Sequence, residues 1–167
     1  MPAFTPITFL DTFDLAAALP PRMGLFRETA DGHLLPLRGR GKEGERIGWY
    51  PAASKWPEMK TLVGNLQRIG EARLGEIEVG AVFLHMLNPG TATAWHPPEA
   101  SPWIRTHLAL RTNPGALMFA GREAHHLLPG QLTAVDLGAW VCAVNWGEFA
   151  RIHLVCDFRK KAADAYN

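Results

Sequence analysis

Residues 77–87 read Ile-Glu-Val-Gly-Ala-Val-Phe-Leu-His-Met-Leu and run into the breaker Asn88-Pro89-Gly90. An apolar run of this length closed by turn residues reads as a strand. The same grammar recurs at Ile104 to Leu110, Ala116 to Phe119, Leu132 to Val135, Val141 to Trp146 and Arg151 to Phe158. Asn113-Pro114-Gly115, Gly121, Pro129-Gly130 and Gly147 supply the turns between them. Short strands at this spacing predict an antiparallel β-sandwich or barrel.

The chain upstream has a different texture. Met59, Leu62, Val63, Leu66 and Ile69 recur at helical spacing after Trp56-Pro57, which predicts a helix with Pro near its first turn and Gly70 as its stop. Asp11 to Leu19 predicts a shorter helix ended by Pro20-Pro21, and Asp31 to Gly48, rich in Gly and charge, predicts a long loop or hairpin. A length of 167 residues suits one domain over 1–167, with 1–55 as an N-terminal helix and long loop.

Composition removes several functions. Hydrophobic residues make up 47% and charged residues 20%, a balance that describes a folded chain. Seventeen basic against sixteen acidic residues leave a net charge of +1, too little to concentrate nucleic acid or anionic lipid, so no nucleic-acid partner is expected. No run reaches the roughly 18 apolar residues that span a bilayer, and Thr5, Thr8 and Asp11 stand where a signal peptide needs an apolar stretch. A cytoplasmic protein without a membrane role is expected. Cys142 and Cys156 are too few for a disulfide scaffold and read as reduced, packed thiols.

The chemistry stands inside the strands. Side chains two residues apart share a face, so His85 lies with Phe83 and Leu87, Arg105 with His107, and Arg151 with His153. If these faces line one interior, two Arg and three His converge there, and the runs Phe83 to Leu87, Arg105 to Ala109 and Arg151 to Val155 hold no acid, the next being Asp157. Burying guanidinium groups without acidic partners is unfavourable, and a small carboxylate ligand would restore the balance, because Arg offers a planar fork to it. The alternative is an open sheet with these groups at its rim. His96, in the loop Trp95-His96-Pro97-Pro98-Glu99, is a candidate metal ligand or a plain surface residue. His125-His126 read as solvent-facing, while Trp95, Trp103, Trp140 and Trp146 either wall the site or pack in the core.

Several of these segments carry a resemblance over roughly residues 56–158. Leu87-Asn88-Pro89-Gly90-Thr91 leading to Trp95-His96, then Arg105-Thr106-His107-Leu108-Ala109-Leu110, then Pro129-Gly130 and Val135-Asp136, then Arg151-Ile152-His153-Leu154, resemble in order and spacing the aspartyl/asparaginyl β-hydroxylases. That family belongs to the iron- and 2-oxoglutarate-dependent oxygenases. The resemblance implies a mainly β double-stranded β-helix, a jelly-roll of the cupin kind braced by N-terminal helices. It implies Fe(II) and 2-oxoglutarate as cofactors and a carboxylate-bearing small-molecule, amino-acid or peptidyl substrate. On it, His96 is the iron ligand, Arg151 pairs with the far carboxylate of 2-oxoglutarate, and His85 contacts the same carboxylate. Arg105 and His107 lie beside the cosubstrate or substrate carboxylates, His107 being with His96 a candidate catalytic group.

One position departs from the pattern. The family's second iron histidine stands ten residues before the late Arg, and Val141 occupies that position. Valine has no donor atom, and Pro98 stands where an acid often follows the first histidine, so weak iron binding is expected. His153, Glu99 and Cys142 are the candidate substitutes. Three functions follow: a dioxygenase (hydroxylase) with a degenerate metal site, a metal-free descendant doing acid–base chemistry through His107 or His96, and a noncatalytic binding module.

Overall fold

A computed structural model describes residues 2–12, 25–39, 48–54 and 56–161. Along the chain lie β1 (Phe4–Phe9), β2 (Arg27–Thr29), β3 (Gly32–Arg38), α1 (Pro51–Ser54), α2 (Pro57–Leu74) and β4 (Ile77–Leu87). They are followed by β5 (Thr91–Ala92), β6 (Ile104–Arg111), β7 (Ala116–Ala120), β8 (Glu123–His125), β9 (Gln131–Val135), β10 (Val141–Asn145) and β11 (Arg151–Lys160). Every pairing is antiparallel. The large sheet runs β1-β9-β6-β11-β4-β3-β2 and the small one β5-β10-β7-β8, and the two form the double-stranded β-helix.

Strand parity divides the large sheet into two chemistries. Val82, Leu84 and Met86 of β4, Leu108 and Leu110 of β6, and Ile152, Leu154, Cys156 and Phe158 of β11 share a buried cluster with Met59, Leu62, Val63 and Leu66 of α2. Fully burying each large aliphatic side chain contributes about 1.5–3 kcal/mol, so this face anchors the sheet. The alternate residues face the small sheet, where Leu87 and Ala109 meet Met118, Ala120 and Ala143. With β6 and β4 on its two sides, β11 is buried at every position from Arg151 to Phe158. Its polar residues are therefore held in the interior.

The predicted strands form with ends moved by at most two residues. The predicted helix begins with Pro57 at its first turn but continues past Gly70 to Leu74, and Gly75 ends it at φ 78°. Gly70 instead serves packing: a Cβ there would lie 2.6 Å from Ile77 Cδ1. The Gly- and charge-rich segment supplies the turn and second strand of a hairpin, β3, whose first strand, β2, lies before it, and β1 forms an edge of the large sheet that periodicity does not predict. Pro6 in β1 and Pro36 in β3 both adjoin register shifts, the kind of position where a strand tolerates proline. The helix expected from Asp11 to Leu19 lies, beyond Thr12, outside the described residues.

Candidate functional site

Register brings the polar faces together. His153 of β11 stands opposite His85 of β4 and Ala109 of β6; Val155 stands opposite Phe83 and His107; Asp157 stands opposite Arg105. His85, Arg105, His107 and Arg151 all line one cavity of about 220 Å³ between the sheets. Its opposite wall carries His96, Val141, Cys142 and Ala143.

Arg151 is the most constrained group there. It is 1% exposed, and among the described residues its side chain makes one hydrogen bond, from Nη2 to His85 Nδ1 at 2.7 Å. Nε and Nη1 are buried without partners, and among the described residues no carboxylate forms an ion pair with it. Burial lowers its pKa to about 10. His85 is held from both sides: its Nε2–H donates to the carbonyl of Asp31 at 2.6 Å, which leaves Nδ1 to accept from Arg151. Burial, then the charge of Arg151, lowers the His85 pKa to about 4, so this imidazole is neutral near pH 7.

Arg105 differs from the expectation that it lacks an acidic neighbour. Its Nε and Nη2 donate to the two carboxylate oxygens of Asp157 at 2.9 and 3.0 Å, and Asp157 is fully buried. Burial alone would lower the Arg105 pKa, but the hydrogen bonds and charge of Asp157 outweigh it and raise it. Two of its donors are thus used within the protein. His107 and His153 stand edge to face at 5.7 Å, with Nδ1 of His107 and both nitrogens of His153 unpartnered. Burial, followed by the charge of Arg151, pushes both pKa values well below 6.5.

His96 faces the cavity from a short bridge with Val141, its N–H donating to Val141 at 2.8 Å and its carbonyl accepting from Val141 at 3.1 Å. Its Nε2 lies 3.4 Å from Asp31 Oδ1. Asp31 is a site residue that periodicity missed, although Asp31-Gly32 is a strong hairpin signal. The turn fits because Gly32 adopts φ +107°; a Cβ there would sit 2.7 Å from Met86 O and 3.3 Å from His85 Nε2. Among the described residues no three His, Cys, Asp or Glu are grouped to hold a metal ion. Glu99 and Cys142 line the cavity, whereas His153 does not. Trp95, Trp140 and Trp146 are more than half exposed and Trp103 lines a different cavity, so none of the four walls this one.

Comparison with known proteins agrees with this architecture. The fold is similar to an oxidoreductase of the 2OG-Fe(II) oxygenase family from Burkholderia pseudomallei, 15% identical over 95% of this chain and 86% of that one, with a TM-score of 0.67. It is also similar to the non-heme alpha ketoglutarate dependent carbocyclase SnoK from nogalamycin biosynthesis, 13% identical over 95% of this chain and 79% of that one, with a TM-score of 0.71. A third likeness is to the viral collagen prolyl hydroxylase of Paramecium Bursaria Chlorella virus-1, at 10% identity, 95% and 97% coverage and a TM-score of 0.61. At such identities the likeness is one of fold. No curated protein matches the chain. The model of the aspartyl/asparaginyl beta-hydroxylase family matches residues 43–161, most of the chain and all of the cavity except Asp31 and Leu34. The chain belongs to the aspartyl/asparaginyl β-hydroxylase family.

Proposed function

We propose that this 2-oxoglutarate-oxygenase-like protein binds a small dicarboxylate of the 2-oxoglutarate class between its sheets, with Arg151 as anchor. The state of Arg151 carries the reading: a guanidinium 1% exposed, with Nε and Nη1 unpartnered. A desolvated cation without a counter-charge is unfavourable, and a carboxylate returns both bonds and charge. His85 orients Arg151 from a fixed tautomer, while Arg105, with two donors on Asp157, and His107 flank the second carboxylate. These residues fit the cosubstrate.

They do not fit iron. A nonhaem iron centre is commonly built from two histidines and a carboxylate. Here His96 Nε2 faces Asp31, and the residue bridged to His96 is Val141, a hydrocarbon. The reading is therefore a metal-free descendant of the fold, acting on a carboxylate-bearing amino-acid or peptidyl ligand. Of the two candidate proton carriers, His96 stands half exposed beside Asp31, whereas His107 is buried and held neutral. We take the protein to be cytoplasmic; among the described residues no helix is long and apolar enough to cross a membrane.

One distance favours a second reading. His96 Nε2 and Asp31 Oδ1, 3.4 Å apart, are close enough to share one cation, which would make the chain a hydroxylase with an unusual two-residue iron site. Calorimetry with 2-oxoglutarate tests the anchor common to both. Arg151→Ala is expected to weaken binding by about a hundredfold or more, as for other desolvated charge pairs. Equal binding by parent and variant would refute the role of Arg151.

A further inference from the structure

We infer that this pocket recognises dicarboxylates by charge alone, without a metal and without regard to the 2-oxo group. The inference rests on the reading of Arg151 as anchor and extends it to the chemical class of ligand.

A 2-oxo acid presents three recognisable features, two carboxylates and a ketone oxygen. The carboxylates have partners here. Arg151 brings two unused, fully buried donors, and the Arg105 and His107 side supplies a cation and a ring on the same strand face. The ketone oxygen needs either a Lewis acid or a hydrogen-bond donor.

The wall facing the cations has little to give it. Val141, Ala143, Met118 and Pro97 are hydrocarbon or thioether surface, and the Cys142 thiol offers only a weak S–H donor. The Thr93 hydroxyl is engaged, donating to Ala94 O at 3.0 Å and accepting from Ala143 N at 2.9 Å. Glu99 is a carboxylate and repels a ketone oxygen. His96 turns Nε2 toward Asp31, and Asp31 in turn is fixed by its own backbone bond to His85.

A ketone oxygen placed against this wall loses its hydration without a replacement bond, so it adds no affinity. A ligand with a methylene at that carbon loses nothing. The pocket is therefore a site for five-carbon dicarboxylates in general, and a divalent cation does not change the preference, because the donor that would anchor the cation beside His96 is the missing one at Val141.

The experiment is calorimetry on the full chain with 2-oxoglutarate and with glutarate, each after EDTA treatment and again with Mn(II) added. Glutarate is expected to bind at least as tightly as 2-oxoglutarate, by about fivefold or more where the ketone is fully desolvated, with neither constant changed by EDTA or Mn(II). Binding of 2-oxoglutarate about tenfold or more tighter than glutarate, present only with Mn(II), would overturn the inference while leaving Arg151 as anchor. Failure of both ligands to bind under either condition would instead remove the anchor reading, and the inference with it. Val141→His supplies the positive control: it is expected to acquire a Mn(II)-dependent preference for 2-oxoglutarate. A folded Val141→His protein that binds Mn(II) but still ignores the ketone would overturn the claim that this position removes the preference.

Discussion

Replacing Arg151 with methionine should make the unliganded protein more stable while removing its response to ligand. Burial alone holds the guanidinium at a pKa of about 10, roughly two to three units below its ordinary value. At about 1.4 kcal/mol per pH unit, that depression corresponds to about 3 kcal/mol of unfavourable energy in the folded state. The depressed pKa of a base penalises the protonated fold wherever both states carry the proton, so the penalty is full below about pH 10 and constant through the neutral range. Methionine keeps much of the stem volume and carries no charge. It leaves His85 Nδ1 without a donor, which costs about 1 kcal/mol. The net expectation is a gain of about 2 kcal/mol, within the range seen when buried ionic groups become apolar. Urea unfolding at pH 7.5 measures it. With 2-oxoglutarate at a hundredfold excess over Kd, the native protein should gain about 3 kcal/mol and Arg151→Met nothing. A variant less stable than the native protein by more than about 1 kcal/mol without ligand, or equal protection of both by ligand, would refute the account of Arg151 as an uncompensated cation awaiting an anion.

The other expectations follow from the neighbours of Arg151. Arg105→Ala removes the two hydrogen bonds and the charge that Arg105 gives the fully buried Asp157 carboxylate and should destabilise by about 3 kcal/mol or more in urea unfolding; a loss under about 1 kcal/mol would show the pair to be dispensable. Acid should weaken the fold through its neutral histidines. Because the His85 pKa is lowered to about 4 and those of His107 and His153 are also depressed, the unfolded chain takes up protons first, so stability is full above about pH 6.5 and falls as pH drops toward 4. His85→Gln should flatten that slope, and an identical pH profile for the variant would count against His85 as a contributor. Gly32→Ala forces a side chain into a backbone at φ +107° and against Met86 O, with an expected loss of about 1–3 kcal/mol and weaker 2-oxoglutarate binding as the turn carrying Asp31 leaves His85. Thermal unfolding and calorimetry together check it.

The interior site was legible to the extent that strand parity alone determines it. Arg105 with His107, and Arg151 with His153, share faces by a period of two, and the helix-side cluster takes the alternate residues of the same strands. The partner of Arg105 was half legible. Asp157 has the parity of Arg151 and His153, so it too points between the sheets, but its position opposite Arg105 depends on the register of β11 against β6, fifty-two residues apart in sequence. Register across such a separation is set by the packed fold and not by local pattern. Asp31 reaches the site by the same kind of long-range placement. Its turn reads as a hairpin locally, but nothing local says that the hairpin adds to β4 and leaves the aspartate beside His85 and His96.

Position 141 shows what the spacing meant physically. Ten residues before Arg151 is a distance along the chain, yet β10 and β11 belong to different sheets, so the separation corresponds to crossing the cavity from one wall to the other. That crossing sets residue 141 directly across a backbone bridge from His96 while Arg151 faces both from the opposite side. On the proposed reading the site has two separable halves: a cationic wall that would hold a carboxylate and a donor wall that would hold a cation. In this chain the first is intact, with buried guanidinium nitrogens still unpaired, and the second presents a valine methyl group where a ring nitrogen would complete it. An anion can bind to the first half without the second, because its charge is met by Arg151 and not by a metal. The reverse does not hold: a cation beside His96 has the carboxylate of Asp31 3.4 Å from the ring, but it stands in the same cavity as Arg151, whose charge opposes it unless the anion is already bound. On the proposed reading, anion binding therefore precedes the binding of any cation.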